Sequence, residues 1–179
     1  ALIGFVAMVI MLLPHITQKK QESEDQKAPG NVVIEMHWPS HMPFDVDLWV
    51  QAPHEVPVGF WNQGGNTFNL LRDDRGHLRD ASNLNYEVSY SRGMPAGEYV
   101  INLHLYNSRS QITAPISVDV VVSVRRTPTA PARQIVSGKA LLRQVGDEIT
   151  AFRFKLDGKG HLVTDSVHNI FKPLRSEKS

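Results

Sequence analysis

From Asn31 onward, apolar side chains return at every second position, and only an extended strand puts every second residue on one face. Val32, Ile34, Met36 and Trp38 share one side of NVVIEMHW, with Glu35 and His37 on the other. In DVDLWVQ the same alternation sends Val46, Leu48 and Val50 inward, and Asp45, Asp47, Trp49 and Gln51 outward. Tyr86, Val88 and Tyr90 alternate with Asn85, Glu87 and Ser89, which predicts an apolar face made by the first three. EYVINLHLY is expected to bury Tyr99, Ile101, Leu103 and Leu105, and ISVDVVVSV to bury Ile116, Val118, Val120, Val122 and Val124. VGFW (Val58 to Trp61) and TFNLL (Thr67 to Leu71) are shorter strand candidates around the turn signal Gln63-Gly64-Gly65-Asn66. After a Pro-rich joint, Thr127 to Arg133, IVSGKALL and ITAFRFKL flank the turn VGDE, and HLVT follows the turn Asp157-Gly158-Lys159-Gly160. Roughly eight to ten short strands separated by Gly, Pro, Asn and Asp predict an all-β fold, an antiparallel β-sandwich. Its core is expected over 31–126, with the joint, additional strands or a hairpin, and a C-terminal tail over 127–179. TPTAPA either carries the chain from one sheet to the other or leads to an appended hairpin unit over 134–171.

The chain opens differently. ALIGFVAMVIMLL, Ala1 to Leu13, has no charge, and Pro14 stops it. At 1.5 Å per residue this run covers roughly 20 Å of a hydrocarbon layer about 30 Å thick. It reads as the C-terminal part of a single transmembrane helix over 1–16, with the chain expected to start upstream. No small-residue cleavage site follows it, which disfavours a cleaved signal. Gly4, Ala7, Met8 and Met11 form a stripe at helical spacing suited to close helix packing in the bilayer. Residues 17–30, polar and mixed in charge before Pro29-Gly30, read as a stalk. Lys19 and Lys20 favour a cytoplasmic location for this end, but the other flank of the helix also votes, so charge leaves the orientation open.

Nineteen Lys and Arg oppose eighteen Asp and Glu, and a net charge of +1 predicts no nucleic-acid partner. There is no Cys, which excludes disulfides and thiolate chemistry. No G-x-S-x-G elbow and no phosphate loop is present, and Gly158-Lys159-Gly160 reads as a turn, so an enzyme is not expected. His37 and His41 lie on a strand and a loop, where a spacing of four does not bring two imidazoles together. The His residues, including outward-alternating His104, are expected to be exposed or half-exposed.

Two groups remain as candidate sites. Asp45 and Asp47 share the outward side of one strand, and Asp73 and Asp74 sit in the turn LLRDDRG; hard oxygens converging from a strand and a turn suit Ca²⁺. The competing reading is that these carboxylates cap backbone N–H groups or pair with Arg72 and Arg75. Trp49, Trp61 and Tyr106 are candidates for sugar stacking on a sheet face, or else for a second core layer or a subunit interface.

DVDLWVQAP, LLRDDRG and MPAGEYVINLHLY together resemble the pattern of small extracytoplasmic β-sandwich domains of the pre-peptidase C-terminal type, over roughly residues 31–124. In such domains the paired Asp serve structure or calcium. The whole layout of apolar helix, charged stalk, W-P-S…D-V-D-L-W-V, R-D-D-R-G and P-A-G-E-Y-V-I-N-L-H-L-Y is similar to uncharacterised bacterial single-pass membrane proteins that accompany MotA/TolQ/ExbB-type proton channels. That resemblance implies an ExbD-, TolR- or MotB-like role: a homodimer in the bacterial inner membrane, its helices inside a channel-forming pentamer and its sandwich in the periplasm. Helices of that kind carry a proton-binding Asp. Ala1 to Leu13 has none, so the Asp is expected upstream. The alternative is a tethered extracytoplasmic module that binds a glycan, calcium or a protein, or a structural subunit of an envelope assembly.

Overall fold

The computed structural model describes residues 30–72, 84–108 and 111–175. The helix expected over 1–16, its packing residues Gly4, Ala7, Met8 and Met11, the stalk up to residue 29, and Asp73 and Asp74 lie outside those residues. Among the described residues no helix is long and apolar enough to cross a membrane.

Among the described residues eight strands follow one another: β1 (Val32–Trp38), β2 (Phe44–Gln51), β3 (Phe68–Arg72), β4 (Asn85–Ser91), β5 (Gly97–Ser108), β6 (Ile116–Val124), β7 (Arg133–Leu142) and β8 (Glu148–Leu156). They form two antiparallel sheets, one in the order β3-β4-β1-β6-β7 and one in the order β2-β5-β8. The alternation explains the layers. Val32, Ile34, Met36, Val118, Val120 and Val122 from the larger sheet share one buried cluster with Val46, Leu48, Ile101, Leu103 and Phe154 from the smaller. Burial of these residues, at roughly 25 cal/mol per Å² of apolar surface, is the main force holding the sheets together.

Strand β4 departs from its predicted face. Its register sets Ile34 opposite Ser89, Met36 opposite Glu87 and Trp38 opposite Asn85, so the polar set faces the interior. Tyr86 turns outward and stacks on His37 at 5.6 Å. The inward polar groups have backbone work to do. Glu87 is 1 % exposed, and its Oε2 accepts the Leu48 N–H at 2.8 Å. Asn85 Nδ2 donates to the carbonyls of Pro39 and Met42, both at 2.9 Å. Ser91 Oγ accepts the Val32 N–H at 2.8 Å. Backbone groups on the border between two sheets need partners, and an apolar β4 would leave them buried and unpaired.

Strands β7 and β8 do not form a separate hairpin. β7 pairs with β6 in the large sheet, and β8 pairs with β5 in the small one. The Pro-rich joint therefore connects neighbours within one sheet, and the short turn Arg143 to Asp147 crosses between sheets. VGFW is not a strand: Val58 makes one bridge to Val50, and Gly59 to Asn62 closes a turn. HLVT is reduced to a bridge between Leu162 and Leu156.

After β8 the chain becomes a strap. It follows the edge of β8, with His168 bridged to Arg153, and then crosses the outer side of the small sheet. Asn102 Nδ2 donates to the Lys172 carbonyl at 2.7 Å, and the Lys172 N–H donates to Thr150 Oγ1 at 3.0 Å. Lys172 Nζ reaches Gln51 Oε1 at 2.6 Å, and the Leu174 N–H reaches Glu148 Oε1 at 2.8 Å. The turn that starts the strap is held by Asp157, whose Oδ1 accepts the N–H groups of His161 and Lys159, each at 2.8 Å. The His161 N–H above all holds this carboxyl at about 2, below its ordinary 3.8. A depressed carboxyl pKa gives stability that is complete above 3.8 and lost as pH falls toward about 2. Asp157→Asn is therefore expected to flatten the acid limb of a melting-temperature profile in that window; an unchanged profile would rule this out.

Candidate ligand cleft beside the small sheet

Trp49 alternates outward from β2, as the sequence predicts, yet it is 4 % exposed. Leu174 of the strap and Val100 of β5 pack with it in a second apolar cluster. The other cover comes from the loop after β2. Val58 and Val50 exchange backbone hydrogen bonds, both at 2.8 Å, which folds the loop back along the strand. Gly59 then lies against the indole: a Cβ there would stand 2.5 Å from Trp49 Cδ2, so only glycine allows this approach. The Gly59 to Asn62 turn presents Trp61 edge-on to Trp49, with ring centres 6.0 Å apart and planes at 80°. Trp61 itself is 58 % exposed.

The far side of the loop is pinned by Glu55. Its carboxylate accepts the Thr67 N–H at 3.0 Å and also the Thr67 hydroxyl. Arg92 Nη2 donates to the Gly65 carbonyl at 2.8 Å. Between loop and strap lies an open cleft of about 720 Å³, with Trp49, Trp61, Val56 and Leu174 on its walls and Asn62, Asn66 and Arg175 among its polar lining. The buried Trp49 Nε1–H has no acceptor among the described residues. Beside the cleft, Phe60 and Tyr106 meet at 6.1 Å and are 40 % and 54 % exposed. Tyr106 falls where the β2–β5 register shifts, at a bulge. Tyr106, Phe60 and Trp61 thus line up as an exposed aromatic row.

The sugar-stacking candidates therefore divide. Trp61 and Tyr106 are exposed; Trp49 serves the second core layer weighed as its alternative. The carboxylates divide too. Asp45 and Asp47 do share the outer side of β2, but Asp47 is 5 % exposed and its Oδ2 lies 3.0 Å from His104 Nδ1. Among the described residues no group of three or more His, Asp or Glu is placed to hold a metal ion. His104, expected at the surface, is 2 % exposed, because Tyr106 packs edge-on against it and Asp47 takes its ring nitrogen. On the strap side, Glu98 is held below the usual carboxylate range, chiefly by the hydrogen bonds from Arg153.

Gln51, Asn102, Glu148 and Thr150 were not singled out from the sequence, yet they seat the strap. One signal was present: the outward positions of β5 carry Asn102 and His104 where an exposed strand would favour Lys or Glu. Compared with family models, curated proteins and solved structures, the chain matches none.

Proposed function

We propose that this chain is a membrane-tethered binding module, with Ala1 to Leu13 as part of its tether and the Trp49–Trp61 cleft as a carbohydrate-binding site. The observation that carries the reading is the exposed Trp61 ring standing edge-on to Trp49 at one cleft with a mixed polar and apolar lining. A sugar has what this lining asks for. Its C–H faces stack on an aromatic ring, and its hydroxyls exchange hydrogen bonds with the Asn62 and Asn66 amides. The row continuing to Phe60 and Tyr106 gives room for more than one residue of a glycan.

A second reading rests on the apolar run and its small-residue stripe. There the helix packs inside a MotA/TolQ/ExbB-type channel, and the β domain transmits force in the periplasm as part of an ion-driven complex. Purification of the full chain from native membranes in mild detergent separates the two, since only the second requires a channel subunit at a fixed ratio.

The test of the first is a tryptophan-fluorescence titration of the chain with a panel of neutral and acidic oligosaccharides. At least one is expected to shift the emission. Trp61→Ala is expected to weaken that binding at least tenfold, about 1.4 kcal/mol, while stability stays within about 0.5 kcal/mol because the side chain is exposed. A silent panel, or equal binding by Trp61→Ala, would refute the reading.

A further inference from the structure

A sheet edge is a row of unpaired N–H and C=O groups, and proteins cover or blunt such edges. Among the described residues, three of the four sheet edges are covered. On β2, Val58 exchanges two backbone bonds with Val50, and Glu87 takes the Leu48 N–H. On β3, the Leu70 N–H donates to the Gln63 carbonyl at 2.8 Å, and the Gly65 N–H to the Phe68 carbonyl at 2.7 Å. On β8, His168 and Val163 of the strap bond to Arg153 and Lys155. The fourth edge is β7. It is ten residues long, pairs with β6 on one side, and meets no backbone partner on the other among the described residues.

The usual defence of such an edge is a projecting lysine. Here Lys139 pairs at the surface with Asp119 of β6, its Nζ 2.7 Å from Oδ1. Apolar surface lies alongside. Leu141 is 47 % exposed and Phe171 is 54 % exposed, and both line a groove of about 400 Å³ between β7, β8 and the strap.

We infer that β7 is a dimerisation edge, where a second copy of this chain pairs its own β7 in antiparallel fashion about a twofold axis at Gly138. The sequence RQIVSGKALL favours that occupant. In the register centred on Gly138, Ser137 lies opposite Lys139 and Val136 opposite Ala140 of the other copy; beyond Val136, β7 bulges at Ile135 in its pairing with β6. No like charges meet over Val136 to Ala140, and Val136 of each copy faces Ala140 of the other. Such a contact is self-complementary, as a twofold interface requires. It joins the two large sheets into one continuous sheet and covers Leu141 on both copies.

The chain has no native Cys, so engineered pairs report one contact only. The full chain carrying Ser137→Cys and Lys139→Cys, oxidised in detergent at tens of micromolar, is expected to give a covalent dimer. These two positions face each other across the axis but are too far apart within one strand to close on themselves. Adding Leu141→Glu, at an exposed site that folding tolerates, is expected to cut the dimer band at least tenfold. Val56→Cys, exposed on the far loop, is expected to give none. Absence of the 137–139 dimer, its persistence with Leu141→Glu, or equal cross-linking at Val56→Cys would each overturn the inference.

Discussion

Tyr99→Ala is expected to cost about 4 kcal/mol and to lower the melting temperature by about 10 °C. Tyr99 is fully buried, and it is the aromatic link between the sheets. Its ring stacks on Phe154 of the small sheet at 5.2 Å with planes at 7°, and meets Phe68 of the large sheet edge-on at 6.1 Å. Removing it opens a cavity at the centre of a core too well packed to collapse around the loss. Tyr99→Phe isolates the smaller contribution of the hydroxyl. The O–H donates to the Pro95 carbonyl at 2.7 Å, and burial raises its pKa, so the group stays a donor throughout the working pH range. The Phe variant is expected to lose about 1 kcal/mol. Urea denaturation of both variants reads the two effects separately. An Ala variant within 1 kcal/mol of the wild type would show that this stack is not central to the fold.

Asp47→Ala is expected to be nearly as damaging, at about 3 kcal/mol, for an electrostatic reason rather than a packing one. Asp47 and His104 sit side by side on neighbouring strands, 5 % and 2 % exposed. Removing the carboxylate leaves the buried His104 ring nitrogen without its hydrogen-bond partner, away from water that could replace it. Asp47→Asn keeps an acceptor for the ring N–H and is expected to recover more than half of the loss. The same denaturation assay decides this, and equal losses for Ala and Asn would sink the argument. Adding Ca²⁺ to the wild-type chain probes the other use of this carboxylate, since an ion taking Asp47 must first break its bond to His104.

Period-two alternation made the strands legible, and on β1, β2, β5 and β6 it also gave the correct buried face. Those strands have apolar inward residues and lie where two sheets confront each other. It failed on β4, where the inward face is polar because backbone groups at the β1–β2 border must be satisfied by side chains. That demand comes from a neighbour remote in sequence, and no local pattern encodes it. The same holds for the outer side of the small sheet. Asp47, Trp49 and His104 read as surface residues because alternation reports which side of a strand a residue occupies, not whether something later covers that side. Trp61 was legible as a candidate because, with Trp49 and Tyr106, it was an aromatic that a sheet face could expose. Its partnership with Trp49 depended on Gly59, whose missing Cβ is visible only in the folded chain.

The strap also sets a timetable. Lys172 and Gln51 are 121 residues apart, and their contact belongs to the same small sheet that β8 must join late. Long-separated contacts of this kind slow folding, because the intervening chain must be ordered before they form. On a ribosome, the first-made strand of that sheet waits for almost all the rest before its outer side is closed. Trp49 would then be covered on the loop side alone in every nascent chain stalled before Pro173, and its fluorescence would mark the moment the strap is seated.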